Sequence, residues 1–191
     1  MLDTAKLKEA LKKALKYEDG PLPEGGVMEE IAAFSKRNGI VLPDDFVEWV
    51  KLCNGPPIWP AGLCGISTKD PNLDVEEVYR IFPDWRQKGW LPVGDDGAGN
   101  YYIIPTRGEH GPGYPVLFIE ADHDYSPGYI VASDLAHFLD FLLEAQFQYK
   151  ALGREPDWPF DEGYVISRDP QIVQFQDILT PWGAEKASRG D

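Results

Sequence analysis

Acidic side chains crowd two short segments of this chain, each spaced in a way that could do chemistry. One is Glu120-Ala121-Asp122-His123-Asp124-Tyr125, where acids alternate around a histidine. Such a pattern could ligate a divalent metal ion or supply an acid/base pair. Its plainer alternative is a solvated loop, and the other two histidines lend it little support, since His110 falls in a Gly/Pro turn and His137 on a helical stretch. The second segment holds Asp95 and Asp96 within Trp90-Leu91-Pro92-Val93-Gly94-Asp95-Asp96-Gly97-Ala98-Gly99-Asn100-Tyr101-Tyr102. A phosphate-binding loop would need a following helix, but Tyr101 to Ile104 reads as a strand. A calcium loop would need alternating acidic ligands and a closing bidentate Glu, which Asp95, Asp96 and Asn100 do not provide. Glycines that reach positive φ, and Asp or Asn side chains that bond their own backbone, make this hairpin-turn chemistry instead. Ser67, Ser126 and Ser133 lack a G-x-S-x-G setting. Cys53 lies on an apolar helical stripe with no histidine near it in sequence, which reads as a structural thiol rather than a nucleophile. No catalytic residue, metal or cofactor is expected from these motifs.

The elements that must position these residues follow from periodicity. Leu7, Leu11, Ala14 and Leu15 recur at helical spacing, with Lys12, Lys13 and Lys16 near the end where cations suit the helix dipole. A Pro/Gly-rich break over 20–26 precedes a second helix, Met28 to Arg37, which Asn38-Gly39 closes. Pro43 fits the first turn of a third helix, with Asp44 and Asp45 beside it and Phe46, Trp49, Val50 and Cys53 on its stripe. Beyond a Pro/Gly-rich loop that holds Trp59, the segment Gly62 to Ile66 could form a strand. Asp74 and Glu77 then make a capping-box-like pair for a helix with Val75, Val78, Tyr79 and Phe82 on its apolar side. Strands are expected at Trp90 to Val93, Tyr101 to Ile104, Val116 to Ile119 and, more weakly, Tyr129 to Val131, with connections short enough for an antiparallel meander. Tyr101 and Tyr102 must point to opposite faces, one packed inward and the other exposed. Ser133 caps a last helix through about Gln148, with Leu135, Phe138, Leu139 and Leu142 inward. The tail after Gly153 carries a short helix from Asp169-Pro170 through Ile178. Trp158, Phe160, Phe175 and Trp182 are too many large aromatics to leave in water, so the tail should pack over the core. Helices, then strands, then a helix argue an α+β fold, with an antiparallel-rich sheet of about four to six strands packed against helices.

Bulk properties bound the function. With 191 residues and 43% hydrophobic content, the chain can bury a real core. It has no stretch of about 18 apolar residues to span a membrane, and its N-terminus lacks the apolar run of a secretory signal. One pair of cysteines, Cys53 and Cys64, is no disulfide framework, so a cytoplasmic location is expected. The formal charge of −14 repels nucleic acid and anionic lipid and favours basic partners. Residues 70–124 carry eleven acids against four bases, so the excess is central in the chain. A merely solubilising acidic surface is the plain alternative.

The motif Leu42-Pro43-Asp44-Asp45-Phe46, then Asn54-Gly55, then Leu91-Pro92-Val93-Gly94-Asp95-Asp96-Gly97-Ala98-Gly99, then Phe138-Leu139-Asp140-Phe141-Leu142, resembles the SUKH superfamily. That superfamily includes the yeast Smi/Knr cell-wall assembly regulators and many bacterial immunity proteins. The likeness covers residues 28–145, about 60% of the chain, within a single domain over 1–191 that adds an N-terminal helix and an aromatic C-terminal extension. It implies an α+β domain without catalytic residues or cofactor, whose bacterial members neutralise polymorphic toxins, often nucleases, by binding them. An acidic protein suits a basic toxin domain, because opposite fields speed encounter. Candidate contacts are Asp95, Asp96, Glu120, Asp122, Asp124 and Trp59. Trp85 is a further anchor candidate, with packing as its alternative. Leu42, Pro43, Phe46, Asn54, Gly55, Gly94, Gly97 and Gly99 are expected to serve the fold. Two other readings stand: a housekeeping or regulatory interaction module of the same fold, and a metal-dependent hydrolase using Asp122, His123 and Asp124. Oligomeric state is left open.

Overall fold

Helix α1 (Thr4–Ala14) turns Leu7 and Leu11 inward, as their spacing requires, and leaves its lysines in water. The computed structural model describes residues 3–14, 16, 21–58, 61–175 and 180–182, so Leu15 and Trp59 lie outside the described residues. Helix α2 (Met28–Asn38) ends on Gly39 in the left-handed conformation, and α3 (Asp44–Leu52) buries Phe46, Trp49 and Val50. Pro43 stands one place before α3 with an extended ψ of 140° and is the cap position, not part of the first turn. The supposed strand from Gly62 to Ile66 shrinks to Ala61–Gly62 (β2), paired antiparallel with Pro57–Ile58 (β1). Beyond it Leu63 and Gly65 make single bridges to Gly94 and Asp74.

Asp74 does cap α4 (Val75–Ile81), accepting from the N–H of Glu76 at 2.8 Å, but its second oxygen accepts from the N–H of Thr68 at 2.7 Å. Glu77 does not reach back to close a capping box; it pairs with Arg80. Glu76 instead joins three helices. It accepts from Arg37 and Asn38 at the end of α2 and from Arg86 on α5 (Pro83–Lys88), at 2.8, 3.0 and 3.1 Å.

The meander forms as expected: β3 (Trp90–Asp95), β4 (Tyr101–Pro105), β5 (Val116–Glu120) and β6 (Ser126–Ala132) make an open antiparallel sheet in chain order. Among the described residues the architecture is α+β, with seven α-helices around this four-stranded sheet. One face carries Tyr102 and Phe118 and is covered by α6 (Leu135–Leu152), whose Phe138 ring lies 4.9 Å from Tyr102. The opposite face carries Tyr101 beneath Phe82 and Trp85. Tyr101 is therefore half-buried, not exposed, because α4 and α5 cover that side as well.

Helix α6 begins at Asp134, not Ser133: the Asp134 carboxylate accepts from the N–H of His137 at 2.9 Å. It also runs a turn longer than expected, to Leu152, and buries Phe141, Leu143, Ala145, Gln146 and Gln148 in addition to its predicted stripe. The extra burial comes from α1, whose Leu7 and Ala10 lie beside Leu143, and from the tail. Trp158 stacks on Phe141 at 6.0 Å and donates its indole N–H to the Val131 carbonyl at 3.0 Å. Phe175 is buried and Trp182 partly so, whereas Phe160 is 53% exposed and only touches Tyr129. Helix α7 (Glu162–Arg168) was not expected; the predicted short helix begins as a 3-10 turn over Pro170–Gln174, and its end at Ile178 lies outside the described residues. Asp140 on α6 pairs with Lys6 of α1 at 3.7 Å and with Arg168 of α7 at 3.5 Å. No helix among the described residues is long and apolar enough to cross a membrane.

Candidate acidic interaction site

An antiparallel order β3-β4-β5-β6 puts the β3–β4 and β5–β6 turns at the same end of the sheet. Asp95 closes β3 and Asp96 opens the first turn; Glu120, Asp122 and Asp124 lie in or beside the second. Asn100 ties the turns together. Its N–H and side-chain amide donate to the two Asp96 oxygens at 3.0 and 2.6 Å, while its side-chain carbonyl accepts the Ala121 N–H at 2.9 Å. Nothing in the sequence marked Asn100 for more than a turn residue, because Ala121 is 21 positions away.

The paired aspartates differ. Asp95 accepts the Gly97 N–H at 2.8 Å; burial, then the negative charges of Asp96 and Asp70, raise its carboxyl above the ordinary range. Asp96 accepts the N–H groups of Ala98 and Asn100 and so organises the turn. Gly97 and Gly99 have φ of 73° and 101°, which the turn demands, and Gly94 lies so close to β2 that a Cβ would meet the Gly62 carbonyl at 2.9 Å.

In the second turn Ala121–His123 forms a 3-10 turn, and Asp124 and Tyr125 follow in the left-handed region with φ of 52° and 53°. Two consecutive left-handed residues without glycine are uncommon. The Tyr125 N–H donates to the Glu120 carbonyl at 3.1 Å, and its ring packs 4.5 Å from Phe82. Glu120 contacts His123 Nδ1 at 2.8 Å, while Asp122 and Asp124 stay exposed. Among the described residues no three His, Cys, Asp or Glu side chains gather to hold a metal ion, so Asp122, His123 and Asp124 do not form the cluster that the hydrolase alternative requires. Among the described residues no lysine or arginine pairs with any of these five carboxylates, whereas Glu48, Glu76, Glu77, Asp140 and Asp157 all have cationic partners.

The motif residues sit where support is needed. Leu42 and Phe46 are buried, and Asn54 bonds both backbone groups of Ile66 through its side chain. Gly55 turns the chain at φ 74°. Trp85 is only 3% exposed and stacks on Phe82 at 4.4 Å, so of its two readings packing prevails. Residues 28–140 match the model of the SMI1 / KNR4 family (SUKH-1), more than half of the chain. The chain belongs to that family. No curated protein matches it. The SUKH-1 match starts at α2 and stops within α6, so α1, the end of α6 and the tail lie outside the family core. Both acidic turns lie inside it.

Proposed function

We propose that this SUKH-1 protein is a non-enzymatic immunity protein that binds and masks a basic toxin domain through the acidic end of its sheet. One observation carries the reading: Asp95, Asp96, Glu120, Asp122 and Asp124 are brought to one end without a lysine or arginine among the described residues to offset them. A field of one sign steers a basic partner and rejects acidic ones. SUKH proteins commonly act as toxin immunity proteins and are generally non-catalytic, which supports the reading. Masking needs no chemistry: occupying a basic cleft is enough to keep substrate out.

Co-expression with the product of a toxin gene adjacent to this one tests it. A stable complex and restored growth are expected. Failure of both would leave the housekeeping interaction module as the better account of the same fold.

A further inference from the structure

Next to the acidic turns, three partly buried aromatic rings from distant parts of the chain meet: Phe82 after α4, Tyr101 at the start of β4 and Tyr125 in the β5–β6 turn. Phe82 lies 4.5 Å from Tyr125 and 5.4 Å from Tyr101, with buried Trp85 stacked beneath it at 4.4 Å. Carboxylates border the group on two sides. Asp95 is the strand partner of Tyr101, and Asp124 immediately precedes Tyr125 in the chain, whereas the Glu120 carboxylate turns to His123 and Gly128. An apolar centre with a charged rim is the anatomy of a protein interface, where aromatic residues supply most of the energy.

We infer that this platform receives an arginine side chain of a basic partner protein, stacked on Tyr125 and Phe82 and paired with the surrounding carboxylates. The inference rests on the partner-binding reading above and names the contact that reading leaves open. Arginine fits better than lysine because a planar guanidinium stacks on aromatic faces while bonding carboxylates in its plane. A second copy of this chain is a poor occupant. It is itself acidic, and of its described arginines Arg37, Arg80, Arg86, Arg154 and Arg168 are already held by carboxylates, which leaves only Arg107 to offer.

The probes are octa-arginine and octa-lysine peptides of equal charge, titrated into the full chain at low salt by calorimetry. Octa-arginine should bind about threefold or more tightly than octa-lysine. Tyr125→Asn should remove that preference by weakening octa-arginine more than octa-lysine, and asparagine tolerates the left-handed backbone there. Phe82→Leu, which keeps an apolar side chain over Trp85, should act the same way if the first variant fails to fold. Equal affinity for the two peptides, binding of neither, or a preference that survives both variants overturns the assignment. So does dimerisation of the chain through Tyr125, measured by sedimentation. A toxin complex that forms while the arginine preference is absent sinks only this contact. An arginine preference that holds without any toxin complex sinks only the immunity reading.

Discussion

Asp169 accepts both the backbone N–H and the hydroxyl of Ser133, at 2.7 and 2.6 Å, and it is fully buried where it does so. The pair is separated by 36 residues and joins the start of α6 to the segment that follows α7. It explains why Ser133 is not the helix cap: its hydroxyl is already committed, and the cap passes to Asp134. Ser133→Ala leaves one oxygen of a buried carboxylate without its donor, at a cost of about 1–3 kcal/mol. Asp169→Ala should cost at least as much, because the buried Ser133 N–H then has no acceptor. Urea unfolding measures the loss, and trypsin cleavage after Arg168 should quicken in both variants. Unchanged cleavage would mean that the tail is held by its aromatics alone.

His137 gives the same junction a pH dependence. Its Nδ1 lies 2.9 Å from Asp134, 3.8 Å from Asp169 and 3.4 Å from the Ser133 hydroxyl. The hydrogen bond to Asp134 raises the imidazole above its ordinary 6.5, against the effect of burial, and the charges of Asp134, Asp169 and Asp140 add to the rise. A raised histidine contributes stability that is complete below its unfolded value and lost as pH climbs through the folded one. Burial pushes Asp134 up, but bonds from the His137 ring and backbone outweigh it and lower the carboxyl below 3.8. That contribution is present above 3.8 and lost as pH falls through the folded value. Stability should thus fall on both sides of mildly acidic pH, by no more than about 1 kcal/mol on the alkaline limb because the pair is part-exposed. His137→Gln should flatten that limb in a series of urea titrations. A limb as steep as in the parent would assign it to other groups.

Periodicity made much of this fold legible. Strands β3 to β5 alternate or run apolar over at least four residues, and their connections are short, so topology followed from local signals. Ser133 and Asp134 are both good caps, and only a carboxylate 36 residues away decides between them. Helix α7 has a single buried residue, Val165, and so left no apolar stripe to read. The acidic residues were visible one by one. Their convergence was not, because it depends on strand order and on the Asn100 to Ala121 bond. Tyr125 gave no signal at all, since its left-handed backbone is imposed by the turn and by the ring's seat on Phe82.

Neither thiol should react in the folded protein. Burial pushes Cys53 up to about 12, and burial followed by the charges of Asp95 and Asp74 raises Cys64 further. Thiolate is the reactive form, so both should resist Ellman's reagent at pH 8, with two equivalents released only in denaturant. Stoichiometric labelling of the native chain would contradict the packing of α3 and of the segment after β2.

Asn54 is the position where substitution should travel furthest. Its side-chain amide donates to the Ile66 carbonyl at 2.7 Å and its side-chain carbonyl accepts the Ile66 N–H at 2.8 Å, while its own N–H reaches the Glu24 carbonyl at 3.2 Å. It fastens together the 24–26 segment, the end of α3 and the 63–66 segment. The last of these bridges to Gly94 on β3, directly before Asp95. Asn54→Ala should cost about 2–4 kcal/mol by leaving both Ile66 groups short of partners. Asn54→Asp keeps the shape but turns a lone pair toward the Ile66 carbonyl, so at pH 7 it should be at least as damaging. Protonating that aspartate restores a donor. Its folded pKa must then lie above the unfolded one, and the deficit relative to the parent should shrink as pH falls toward the carboxylate range. Paired urea titrations at pH 7 and about 4.5 would show this. An Asp variant as stable as the parent at pH 7 would show that the amide's donor end contributes nothing. Weakened binding of a basic partner in either variant would then trace to β3, whose end carries Asp95, and not to any charge removed from the acidic turns.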